Sequence, residues 1–221
     1  TKDFLCDIDF LKYAYNKVIK SVDTKIVNKW AITDNWFFKY ADLLKSAQNV
    51  YKPLTWNYES KIKNNLNSKS LIITSLKDKI TQKAISLLLN LIYENADDGF
   101  LNCSHGFRFN KSMHTALWHI KYRWIGVPWY IKISVKKIFN LINRKVLMNL
   151  LKKKVSDKRL LDNIQKMFNA KIILSENFIT KEIKSILQED SLSSTLWNIY
   201  LHELDKYIIN MIIPKYKKGL K

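Results

Sequence analysis

At 221 residues and 47% hydrophobic content this chain is long enough to bury a sizeable core, and its seven Trp, eleven Tyr and ten Phe argue against intrinsic disorder. Thirty-eight Lys and Arg against nineteen Asp and Glu leave a formal charge of +19, a self-repulsion that a polyanion relieves, so nucleic acid is the first candidate partner and an anionic membrane surface the second. Cys6 and Cys103 make no disulfide framework, the four histidines make no metal-ligand pattern, and no apolar run reaches the roughly 18–20 residues of a membrane span.

In chain order, apolar residues at helical spacing (Ile8, Leu11, Ala14, Val18) predict a helix over 8–20, and Trp36, Phe37, Tyr40 and Leu44 predict another over 35–46. Pro53 holds Lys52 out of helix, so 51–56 reads as extended chain; the polar turn residues of 61–70 and then Leu71–Thr74 suggest strand, turn, strand. From Lys77 to Glu94 the pattern is strongly helical, with Ile80, Ala84, Ile85, Leu88, Leu91 and Ile92 inward and the lysines and Gln82 outward. Asp97-Asp98-Gly99 ends that helix, and Ser112 is a good N-cap for one through Lys121. Trp129–Val135 alternates and is rich in β-formers, which predicts a strand. Helices follow over 145–155 and, capped by Asp157, to Ala170; 172–183 reads as a hairpin around Ser175-Glu176-Asn177, and 191–211 as a long helix. Pro214–Lys218 reads as a mobile basic tail. With no repeat and no Gly/Ser linker, the expectation is one continuous, helix-rich unit of the α/β (α+β) class.

Three ordered motifs carry more information than the periodicities. The first is Lys69–Thr74 followed by Leu76-Lys77-Asp78-Lys79-Ile80 and Gln82-Lys83-Ala84-Ile85. The second is Ser104-His105-Gly106-Phe107-Arg108, continuing through Ser112 and His114-Thr115-Ala116-Leu117, and the third is Asn198–Asp205. Together they resemble group II intron reverse transcriptases and maturases, over most of the chain from Phe10 to Lys218. The resemblance implies a reverse-transcriptase-like fingers region over 1–125, a partial palm over 126–210 and a basic tail over 211–221.

It also implies where polymerase chemistry would sit. Nucleotidyl transfer of this type holds two divalent ions on carboxylates. The family's first metal-binding Asp falls on Ser134, flanked by the matching Lys136 and Phe139, and a hydroxyl does not replace the lost charge. The Pro-Gln-Gly loop of the nucleotide site falls on Leu187-Gln188-Glu189, and the fingers arginine on Lys69, which keeps a point charge without the bidentate fork. The second acidic turn of the family would come after Lys221. The expectation is a pseudoenzyme with no catalytic residue, metal or cofactor.

RNA contact is expected from Lys69, Lys77, Lys79, Arg108, Lys111, His114, Lys136, Lys137, Arg144, Lys145, Lys152, Lys153, Lys154, Lys158 and Arg159. Arg108, Lys111 and His114 lie beside a predicted helix start, where a phosphate contact and a solvated face both remain open. The Lys152–Lys154 cluster reads as polyanion contact or as the outer face of an amphipathic helix. Trp118, Trp124 and Trp129 read as base-stacking groups or as buried packing. The richness in Lys, Asn and Ile with few Gly and Pro fits an AT-rich coding sequence, hence an organellar, mitochondrial origin. The functional expectation is a non-catalytic protein that scaffolds structured RNA in a ribonucleoprotein alongside other proteins, foremost a mitochondrial ribosome with ribosomal RNA bound. The alternatives are an intron-splicing maturase, or the N-terminal half of a split reverse transcriptase completed by a separate chain.

Overall fold

Ser75 starts the longest of the described helices. Its hydroxyl accepts a hydrogen bond from the Asp78 amide (3.1 Å) and donates one to the Asp78 carboxylate (2.8 Å), which satisfies a backbone donor left over at a helix start. In the computed structural model, which describes residues 4–20, 32–45, 56–60, 70–73, 75–95, 98–135, 142–169, 171–174, 179–182 and 191–219, that helix runs Leu76–Asn95. We number the described helices α1 (Ile8–Lys20), α2 (Asp34–Lys45), α3 (Leu76–Asn95), α4 (Met113–Arg123), α5 (Arg144–Lys154), α6 (Lys158–Phe168), α7 (Ser191–Tyr207) and α8 (Ile213–Gly219).

Helix α3 is buried on more than one face. Ile80, Ala84, Ile85 and Leu89 are fully enclosed, and so are the polar Thr81, Gln82 and Ser86. Gln82, expected on the outside, is inside, and Leu91, expected inside, is exposed. The apolar stripe faces α1, while α7 covers the adjacent polar strip, so the helix is sandwiched between them. The polar strip is served by hydrogen bonds: Ser86 and Thr195 share one of 2.8 Å, and the Asn90 amide donates to Thr195 Oγ1. The Tyr40 hydroxyl of α2 sits on Thr81 Oγ1 and the Lys77 carbonyl, and burial raises its pKa far above the usual phenol value.

One hydrophobic core contains Leu11, Ile85, Leu147, Leu151, Ile164 and Leu196, so the residues expected as fingers and as palm are packed together. Asp157 caps α6 by accepting from the amides of Arg159 (2.9 Å) and Leu160 (3.4 Å). Asp157→Ala is expected to cost about 1 kcal/mol, a fall of about 3 °C in Tm by calorimetry, and Asp157→Asn to recover most of it.

Among the described residues the strands form one four-stranded sheet of short segments, so helix dominates the expected α/β class. β1 (Trp56–Ser60), β2 (Ser70–Ile73), β3 (Lys171–Leu174) and β4 (Ile179–Glu182) lie in the order β2-β1-β3-β4. β1 pairs antiparallel with β2 (Asn57 opposite Ile73) and parallel with β3 (Trp56 opposite Ile172), and β3 pairs antiparallel with β4 as the predicted hairpin. A parallel pair needs a long crossover, and here the intervening helices supply it.

Two expectations fail. Trp129–Val135 belongs to no strand: no ladder partner is present for it among the described residues, and alternation by itself cannot make one. The expected mobile tail is instead helical over Ile213–Gly219, reached from α7 through a π-helical turn over Ile208–Ile212. Pro214 follows directly after the π-helical turn, an irregularity in the hydrogen-bond ladder at which a continuous helix accommodates its missing N–H. The expected contact residues Lys69, Lys136 and Lys137, and the nucleotide-loop counterparts Leu187 to Glu189, lie outside the described residues.

Candidate RNA-binding surface

The cation-bearing face is built by α5 and α6, which pack against one another. Asn143 caps α5 with its side-chain oxygen on the amides of Lys145 (3.0 Å) and Val146 (3.3 Å). Leu147, Met148 and Leu151 turn into the core, which at 3.6 residues per turn leaves Lys145, Lys152 and Lys153 outward. All three are exposed, and α6 adds exposed Lys158 and Arg159 at its start. Arg159 Nε lies 3.9 Å from Asp157, a half-exposed pair of little energetic weight. These five cations form the densest part of the expected contact set. Lys152 and Lys153 also sit where the helix C-terminus favours positive charge, so their placement serves the helix as well.

Other expected contacts are committed elsewhere. Lys154 turns inward over the Tyr93 ring, bonds the Asp98 carbonyl and approaches the Asp98 carboxylate at 3.9 Å. Burial pulls its pKa down, against the pull of Asp98. Arg144 donates to the Phe168 carbonyl (2.7 Å) and stacks over the Phe168 ring, pinning α5 to the end of α6. Arg108, expected at a phosphate, is a structural group. Its guanidinium is buried, grips Glu94 through Nε (2.8 Å) and Nη2 (2.6 Å), and gives Nη1 to the carbonyls of Leu101 (2.6 Å) and Ser104 (2.8 Å). With four donors spent and the Phe100 ring beneath it, Arg108 has no surface left for RNA. Lys77 and His114 are exposed and Lys79 and Lys111 half-buried, none on α5 or α6.

The loop that Arg108 holds is the second sequence motif. Phe107 and Asn110 both adopt left-handed backbone (φ 53° and 54°), which for a phenylalanine is strained. The strain is sustained by Arg108 on one side and by Asn198, which donates to the Gly106 carbonyl at 2.6 Å, on the other. Asn198 is the first residue of the third motif, so two of the three motifs meet through a packing contact. Next to them His105 Nδ1 lies 2.9 Å from Thr115 Oγ1. The Thr115 hydroxyl already donates to the Ser112 carbonyl, so His105 Nδ1 carries the proton. His105 Nε2 then accepts from His119 Nδ1 at 3.2 Å.

His202 is buried in the third motif, with Nε2 facing the Asp98 carbonyl (3.4 Å) and Nδ1 without a partner. Burial and the nearby Lys206 charge lower its pKa, offset in part by the Asp98 carbonyl and carboxylate. Asp98 is held below the usual carboxylate range by the Lys206 bond (2.6 Å). A histidine depressed on folding contributes stability that is fully present above its unfolded pKa of about 6.5 and is lost below it. The Tm is therefore expected to start falling below pH ~6.5, with a second loss below pH ~4 as Asp98 protonates. In His202→Gln, the first phase should shrink in a pH series of melting curves to the part left by His105, whose pKa burial and the nearby Lys111 also lower, while the second stays.

Trp118, Trp124 and Trp129 are not packing groups but are exposed, and α4 has no buried residue. Ser134 is also exposed, in the extended segment without a ladder. Ser134 supplies no carboxylate, and no group of three or more His, Cys, Asp or Glu able to hold a metal occurs among the described residues.

The sequence holds one further signal. Between Asp98 and Asp157 there is no Asp or Glu, against twelve Lys and Arg. The run contains α4, the extended segment and all of α5, so the basic face is set in a stretch with no carboxylate to offset it. Among the described helices none is long and apolar enough to cross a membrane.

No family model matches the chain. It is 32% identical over 215 residues to an uncharacterized 91 kDa protein in the cob intron of Schizosaccharomyces pombe, covering 95% of this chain and 26% of that protein. It is 33% identical over 173 residues to the group II intron-encoded protein LtrA of Lactococcus lactis, covering 78% and 28%. The nuclear intron maturase 3, mitochondrial, of Arabidopsis thaliana is 31% identical over 142 residues, covering 64% and 19%. The chain thus spans about a quarter of the length of the first two. Among solved structures a partial Cas6-RT-Cas1–Cas2 complex superposes with a TM-score of 0.56 at 18% identity, covering 93% of this chain and 34% of that one, a likeness of fold.

Proposed function

The chain belongs to the group II intron-encoded reverse transcriptase and maturase family, and from that premise we propose that it binds structured intron RNA without catalysing polymerisation. The observation that carries this reading is the acid-free stretch from 99 to 156. It carries the α5 cations and runs up to those at the start of α6, and within it the resemblance sets Ser134 at the family's first metal-binding carboxylate. Folded RNA is recognised largely by shape and backbone, which suits a lysine face better than base-reading side chains.

The ribosomal setting expected from the sequence gives way to intron RNA, because the relatives described above are proteins of introns. A mitochondrial location is part of the same proposal, supported by the mitochondrial relative and the AT-type composition. A split enzyme completed by another polypeptide is the second reading, and membership of the family supports it.

Both readings are tested together. Affinity for a folded group II intron RNA should fall steeply with salt, with a log–log slope of about −4 if the five cations of α5 and α6 each meet a phosphate. A flat salt response defeats the RNA reading. Primer, template, deoxynucleotides and Mg²⁺ should give no extension product; chelator-sensitive extension would show that the chain polymerises.

A further inference from the structure

Asn163 is a polar residue on the inner side of α6, as buried as its neighbours Leu160 and Ile164 at 3% exposed, and its Oδ1 accepts no hydrogen bond among the described residues. A buried acceptor left unmade is costly, and native interiors rarely hold one. Asn163 lines a cavity of about 300 Å³ between the helical turn at Phe4–Cys6, the end of α2, the second half of α3 and the start of α6. The other walls are chiefly aliphatic, with Leu5, Leu44, Leu88 and Ile92 among them. Two further lining residues reach solvent and so stand at the mouth: Phe4, half-exposed, and Arg159, one of the five cations of the α5–α6 face. The cavity therefore opens beside the surface proposed for RNA.

We propose that this cavity takes one unpaired purine of the RNA held on the α5–α6 face, a base that carries an exocyclic amino group. The proposal rests on the RNA reading and deepens it. Three features choose the occupant. Asn163 Oδ1 needs a donor, which an amino group at a base edge supplies, whereas the carboxylate or phosphate of a lipid-like ligand only accepts. The walls are apolar with Phe4 as the one ring, and a base turned out of its stack is held between apolar and aromatic side chains. Arg159 and the adjacent Lys158 are exposed where the flanking phosphates of such a base would run, a charge that a neutral apolar ligand has no use for. The size also fits, since a cavity of about 300 Å³ lies at the small end for ligand sites. Sequence-specific reading of RNA falls on unpaired bases of bulges and loops, so the cavity supplies the base contact that a lysine face lacks.

The test is the affinity of the 221-residue protein for three RNA hairpins built on one stem. One is fully paired, one carries a single unpaired adenosine, and one carries in its place purine riboside, which lacks the amino group. The adenosine hairpin should bind about tenfold tighter than the paired one, from apolar burial and the new hydrogen bond together. Purine riboside should give up about fivefold of that, the share of the amino group. Asn163→Leu should bind the two unpaired hairpins alike, with a Tm no lower than the parent, because an orphaned amide gives way to an apolar group of similar size. Leu91→Trp, at an exposed position of the wall, should close the mouth and bring all three hairpins to the paired affinity at an unchanged salt slope. Equal binding of the paired and adenosine hairpins by the parent, a preference that survives Leu91→Trp, or discrimination against purine riboside that survives Asn163→Leu would each overturn the proposal. So would decanoate or a tryptophan-bearing peptide that binds the parent but not Leu91→Trp and does not compete with the adenosine hairpin. Salt-dependent binding of all three hairpins without preference defeats this proposal alone, whereas a flat salt response or no binding defeats the RNA reading with it.

Discussion

Arg108→Ala is expected to destabilise the protein by about 3 kcal/mol or more, a loss of roughly 6–12 °C in Tm for a domain of this size. The guanidinium supplies two bonds to Glu94 and one each to the carbonyls of Leu101 and Ser104, so its removal strands three acceptors at once. Glu94 keeps some solvent access, which places the cost at the low end for a broken buried pair. Arg108→Lys restores the charge but not the fork and should recover less than half. A double variant, Arg108→Met with Glu94→Leu, should be less destabilised than the sum of the two single changes, the sign of a direct coupling in a mutant cycle. If Arg108→Ala instead leaves the Tm unchanged and weakens RNA binding, the residue is a phosphate contact and the structural role assigned here is wrong.

Neutralising the α5–α6 face should act on binding alone. Lys145, Lys152, Lys153 and Lys158 replaced together by Gln would remove four phosphate contacts, flatten the salt slope by about 3 and lower affinity about a thousandfold at 0.1 M salt. The corresponding change in Tm should be small, since all four side chains are exposed. Glutamine is preferred over glutamate because negative charge in the last turn of α5 would oppose the helix dipole and blur the distinction. The control is Lys17, Lys20, Lys39 and Lys45 to Gln on α1 and α2, which lowers the net charge equally. Equal loss from both sets would mean that bulk charge, not this face, holds the RNA.

The two variants divide a set of residues that looked alike in the sequence. Arg108 and Lys152 are both cations near a helix end, yet one is spent on Glu94 fourteen residues upstream and the other is left in water. Spacing cannot reveal such a pairing, because Glu94 ends α3 and Arg108 follows a loop whose path depends on Phe100 and Asn198. Lys154 departs from its expected role for a similar reason. Its neighbours Lys152 and Lys153 point outward, while one further step round the helix carries Lys154 toward Asp98 and Tyr93. Gln82 reads as outward because it is polar, yet it is buried on a strip whose Ser86 and Asn90 meet Thr195 of α7 and whose Thr81 meets Tyr40 of α2.

What the sequence by itself determined is local or inherited. Ser112 and Asp157 cap helices because their side chains satisfy amides two or three residues away, and apolar spacing places α1, α3 and α7 whatever they pack against. The ordered motifs carry the family, and net charge carries the class of partner. Tertiary structure alone decided which cations are free, because a buried ion pair forms between residues remote in sequence once desolvation makes an unpaired charge costly. It alone decided that Trp129–Val135 is not a strand, because a strand exists only by the hydrogen bonds of a neighbour, and alternation describes a face without supplying the partner to cover it.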